Sequence, residues 1–97
     1  MIIEHHPSIE SELKDIINFY NKWSQGLGDE FIEEFNRQIS LIALSPQQWV
    51  IIEDNIRRSM MRRFPFVIYF REIGGNTLRV TVVKHQRRQP NHGKDRK

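Results

Sequence analysis

The 97-residue chain contains no cysteine, so neither a disulfide frame nor a thiolate metal site holds it together, and a reducing cytosol is permitted. Long hydrophobic runs are missing too. The longest apolar stretch, Phe64 to Phe70, falls far short of the roughly 20 residues that span a bilayer. Residues 1–30 are acidic and amphipathic where a secretory signal would be basic and apolar. A cytoplasmic protein with no membrane partner is expected. The only glycine pair, Gly74-Gly75, stands between candidate strands and opens no helix, so a phosphate-cradling loop is lacking and nucleotide hydrolysis is not expected. The four histidines, His5, His6, His85 and His92, make a poor metal set. Adjacent histidines on a strand point to opposite faces, and no cysteine or carboxylate completes the ligands, so no metal or other cofactor is expected.

What is present is a strong division of charge. Residues 1–56 hold three basic side chains, Lys14, Lys22 and Arg37, against ten acidic ones; residues 57–97 hold twelve basic side chains against Glu72 and Asp95. The overall +3 thus conceals an acidic first half and a basic second half, and the second half calls for a polyanionic or acidic partner. A chain this short makes one domain, burying roughly 60 to 70 per cent of its unfolded surface.

Residues 1–6 read as a short extended segment, and Pro7-Ser8 supplies a break and a helix N-cap. From Ser8 to Trp23 the residues Ile9, Leu13, Ile16, Ile17, Tyr20 and Trp23 recur at helical spacing, with acidic residues opposite. Gly26 and Gly28 interrupt the pattern. A second stripe, Leu27, Phe31, Phe35, Ile39 and Ile42, runs on to Ser45-Pro46, where proline disfavours helical geometry in the residue before it. The short link implies an antiparallel helical hairpin whose aromatic residues, Trp23 and Phe31 included, belong to the core.

After a loop through Trp49 and Asp54-Asn55 the pattern becomes that of strands: Ile56–Phe64, Phe66–Ile73 and Thr77–His85, the last two joined at Gly74-Gly75-Asn76. Pairing Ile73 with Thr77 sets Phe70 opposite Val80 and Ile68 opposite Val82 on one face, and Tyr69 opposite Thr81 and Arg71 opposite Arg79 on the other. In the arginine-rich strand, alternation puts Arg58 and Arg62 on one face with Met60, and Arg57 and Arg63 on the other with Met61. The expected fold is α+β: a strand, an antiparallel helical hairpin, then a three-stranded antiparallel sheet with one open face. Residues 1–90 form its domain, and 91–97 a basic, polar, frayed tail.

Several pieces together resemble the RelE/ParE toxin superfamily, the plasmid stabilisation proteins, over Ile2 to Pro90. They are the acidic hairpin, the run Ile56-Arg57-Arg58-Ser59-Met60-Met61-Arg62-Arg63, the following Phe64-Pro65-Phe66-Val67-Ile68-Tyr69-Phe70, and Val83-Lys84-His85-Gln86-Arg87-Arg88-Gln89-Pro90. The chain departs from many relatives at Gln89, where they carry an acidic residue, and Asn91–Lys97 lacks their tail aromatic. The resemblance implies a growth-inhibiting toxin held inactive by a cognate antitoxin that wraps it in a hetero-oligomer, and the charge split independently favours an acidic segment on that antitoxin. The long paired helices resemble the ParE branch, which poisons DNA gyrase.

The RelE branch, which cuts mRNA on the ribosome, is the alternative; a non-catalytic nucleic-acid-binding relative is a third reading. By resemblance to the nucleases, a metal-independent endoribonuclease would use His85 as acid and Arg62, Arg63 and Arg79 on the phosphate, because guanidinium forks match phosphate oxygens and imidazole titrates near neutrality. A general base is the gap, since Glu53 and Glu72 do not fall beside His85, and neither Tyr20 nor Tyr69 matches a C-terminal tyrosine. Candidate contacts to target or antitoxin are Arg58, Tyr69, Arg71, Arg87 and Arg88. The bland alternatives are a charged edge strand that resists aggregation, a solvated end and a tyrosine paired across the sheet.

Overall fold

A computed structural model describes residues 1–97. Strand β1 (Ile2–His5) leads into helices α1 (Ser8–Trp23) and α2 (Leu27–Leu44). A single 3-10 turn at Pro46–Gln48 follows, then β2 (Val50–Glu53), β3 (Ile56–Met60), β4 (Phe66–Ile73) and β5 (Thr77–His85). Both helices have the bounds that their periodicity predicts. The first is not capped by the Ser8 side chain; instead the Ser8 N–H donates to Nδ1 of His6 at 3.1 Å.

Helix α2 starts where Asn21 of α1 accepts the Gly28 N–H at 2.8 Å, satisfying one of its free amides. Gly28 is obligatory there, because a Cβ would collide with the Ile17 carbonyl oxygen and the Asn21 side chain. The hairpin therefore closes tightly. It lays Phe31, Phe35, Ile39 and Ile42 on one sheet face against Phe66, Ile68, Phe70, Leu78, Val80 and Val83. Tyr20 joins this core through the edge of Phe64, 5.0 Å between ring centres, and burial raises its phenol pKa. Trp23, expected inside, is 75% exposed at the last turn of α1, beyond the reach of the sheet. One buried polar pair ties helix to sheet: Nε2 of Gln38 donates to Oγ of Ser59 at 2.6 Å.

The sheet has five strands in the order β1-β5-β4-β3-β2, not the three antiparallel strands expected. β1 pairs in parallel with β5, Ile2 beside Thr77 and His5 beside Val80, and the helical hairpin carries the chain from β1 at one edge of the sheet to β2 at the other. β2 occupies part of the stretch read as a loop. β3 ends at Met60, short of the expected Phe64: Met61 turns into the core, and residues 62–65 bend around Pro65.

The β4–β5 register holds from Ile73–Thr77 through Arg71–Arg79 to Phe70–Val80, then slips at Thr81. Beyond this bulge Tyr69 faces Val82 and Ile68 faces Val83, correcting both expected pairs. The slip moves Val82 to the face away from the helices, where it forms a second small core with Ile56, Val67 and Tyr69. That face is consequently not open. The C-terminal segment, expected to fray, folds across it in successive turns, with backbone bonds from His92, Lys94 and Arg96 to Gln89, Asn91 and Gly93.

Candidate partner-binding sheet face

The side chains of β3, β4 and β5 that point away from the helices carry the cations singled out above. Arg58 lies opposite Tyr69, and Arg71 opposite Arg79. On the other side of Tyr69 from Arg71, Lys84, beside Val67 in the register, is only 6% exposed. Its ammonium donates to the carbonyl oxygens of Gln89 (2.8 Å), Pro90 (3.0 Å) and His92 (3.1 Å) and sits 4.3 Å from the centre of the Tyr69 ring. Tyr69 in turn donates its hydroxyl to the Pro90 carbonyl at 2.8 Å.

Further along, Arg71 donates to the carbonyls of Lys94 and Arg96 and to Oδ1 of Asn55, while Arg79 donates to the Lys97 main-chain oxygen and to Glu4, both within 2.9 Å. Arg96 reaches back across the sheet. It forms a two-pronged pair with Glu12 of α1 at 2.8 and 3.1 Å and donates to the carbonyl of Thr81, the bulged residue. Lys94 pairs with Glu53 at 3.2 Å. The confrontation of Arg71 with Arg79, which needs a negative partner lying over it, is answered by main-chain oxygens of the chain's own C-terminal segment and, at Arg79, by the Glu4 carboxylate.

Gly93 shows how closely that segment fits. Its φ of +80° lies in the left-handed region, and a Cβ there would stand 2.6 Å from Cγ2 of Val82. Beside the segment a cleft of about 130 Å³ stays open between Arg58, Met60, Tyr69, Lys84, Arg88 and Pro90. The guanidinium groups of Arg58, Arg87 and Arg88 are exposed and find no acceptor within the chain.

The candidate nuclease residues are dispersed. His85 packs its ring on Phe66 at 5.5 Å and accepts the Arg87 N–H at Nδ1. Its cleft includes Glu12 and Asp15 as well as Arg88, and none of Arg62, Arg63 or Arg79 lines it. Arg79, six positions back along β5, is roughly 20 Å away by strand rise. Arg63 is paired with Glu30 of α2 at 2.6 Å, and Arg62 stands with Glu34, Arg37 and Gln38 in another cleft. Arg57, on the helix face, ties the 3-10 turn through the Gln47 and Trp49 carbonyls. Alternation across residues 57–63 therefore breaks down after Met60.

Sequence reasoning missed Lys84, Gly93 and Arg96. For Lys84 strict alternation is misleading, since it groups Lys84 with Val80 and Val82 on the helix side and only the bulge turns it to the opposite face; nothing local marks the other two.

The family model for the ParE toxin of the type II toxin–antitoxin system parDE matches residues 3–90. The chain belongs to the ParE toxin family. No curated protein matches it. Among solved structures, this ParE-family chain is similar to one described as the chromosomal ParDE TA system from P. aeruginosa, with a TM-score of 0.75 at 15% identity, covering 88% of this chain and 95% of the other. That likeness is one of fold. No helix of the ParE-family chain is long and apolar enough to cross a membrane.

Proposed function

We propose that this ParE-family chain is the toxin of a type II pair, that it arrests growth in the cytoplasm by binding DNA gyrase without catalysis of its own, and that a cognate antitoxin with an acidic segment restrains it in a hetero-oligomer. The observation that carries the non-catalytic reading is the dispersal of the candidate nuclease groups. His85 has no arginine of the proposed set beside it, its Nδ1 is engaged by the Arg87 amide, and the carboxylates of Glu12 and Asp15 share its cleft. Contacts to gyrase or antitoxin fall to Arg58, Arg87 and Arg88, whose guanidinium groups are free, and to the Tyr69 and Arg71 face.

Expression without an antitoxin tests the proposal, read by gyrase-linked DNA breaks and by ribosomal A-site mRNA cuts. Growth arrest with DNA breaks is expected, and His85→Ala should retain it. Arrest with mRNA cuts that His85→Ala abolishes would establish the endoribonuclease instead. No arrest at all would leave a nucleic-acid-binding relative.

A further inference from the structure

The C-terminal segment is held in an unusual way. It carries Lys94, Arg96 and Lys97, against the single acid Asp95, onto a face that already holds Arg58, Arg71, Arg79 and Lys84, so segment and sheet both have net positive charge and repel on balance. Attachment rests on main-chain carbonyls, on the Tyr69 hydroxyl, and on the rim carboxylates Glu12 and Glu53. Lys84 and Arg71 have only neutral acceptors. A carboxylate is a stronger acceptor for either than an amide carbonyl.

We infer that residues 89–97 are a displaceable strap occupying the seat of an acidic peptide segment, which on binding takes over Lys84, Arg71 and Arg79 and releases the strap. This rests on the reading of a restraining antitoxin given above and names the surface involved. A peptide fits the seat better than a polynucleotide does. Three carbonyls of one main chain converge on the Lys84 ammonium, and the backbone at Gly93 lies against Val82 with no room for a side chain. The floor of Ile56, Val67 and Val82 is apolar, so a segment alternating acidic and aliphatic residues serves cations and floor together.

The test uses the full chain, a short synthetic peptide alternating glutamate with leucine, and a single-stranded oligonucleotide of similar charge. Gly93→Ala is the opening variant, because it imposes backbone strain and a clash with Val82 without altering any charge. Expected results are that the peptide removes hydrogen-exchange protection from the His92, Lys94 and Arg96 amides in the wild-type protein, and that Gly93→Ala binds it about 10-fold tighter or more, since the competing closed state is removed. Unchanged protection at those amides with peptide bound overturns the inference even if the variant folds poorly. So does equal or weaker binding by a folded Gly93→Ala, or strap release by the oligonucleotide alone. Absence of growth arrest would refute the toxin reading, whereas these binding measurements decide the strap independently.

Discussion

Replacing Lys84 with methionine isolates the latch of the C-terminal strap. Methionine keeps a flexible apolar stem over the Tyr69 ring while deleting the ammonium and its three bonds to Gln89, Pro90 and His92. Hydrogen bonds to a charged donor contribute about 1.5–3 kcal/mol net, and a cation over an aromatic ring about 1 kcal/mol. Against these stands the recovered cost of burying a charge at 6% exposure. We take about 3 kcal/mol as the net loss to strap docking, which corresponds to roughly a 100-fold larger opening constant. The freed carbonyls can reach water once the strap lifts, so the loss is local. Native-state hydrogen exchange should show His92, Lys94 and Arg96 amides exchanging about 100-fold faster, while amides in the centre of β4 and β5 are unchanged. Undiminished protection at those three amides would refute the latch; a uniform loss across the sheet would show that Lys84 supports the whole fold instead.

Two further expectations concern the helix-bearing side. Ser59→Ala should cost about 1–3 kcal/mol in urea unfolding, because it strands the buried Gln38 amide; adding Gln38→Leu should recover part of that loss, and strictly additive losses would count against the pair. Tyr20 has a raised pKa because of burial, so the unfolded chain ionises first: its contribution to stability is complete below about pH 10 and is lost as pH rises through the folded value. Tyr20→Phe should therefore flatten the alkaline decline in melting temperature, and a decline of the same steepness would exclude that role.

The candidate site was only half legible in the sequence. Arg71 opposite Arg79 follows from turn position and alternation, and their need for a negative cover follows from Coulomb repulsion. The identity of that cover does not. Asn91–Lys97 is polar and basic, which by composition reads as a solvated end, and the feature that seats it, Gly93 against Val82, depends on a bulge that itself has no local signature. The bulge also carried the expected pairs of Ile68 and Tyr69 one residue out of step. Trp23 shows the opposite failure: it completes the apolar stripe of α1 yet lies past the end of the surface that the stripe covers.

By itself the sequence determined both helices, the β4–β5 hairpin and the separation of charge, because helical stripes, strand alternation and a glycine turn are written in neighbouring residues. Only the tertiary structure decided where β1 and β2 join the sheet, where the register slips, and what lies over the cationic face. Those outcomes depend on partners far apart in the chain, as with Arg79 and Glu4, 75 positions apart, and Arg96 and Glu12, 84 apart. Such contacts form only after the hairpin and sheet have brought the two ends together, so no window of local sequence contains them.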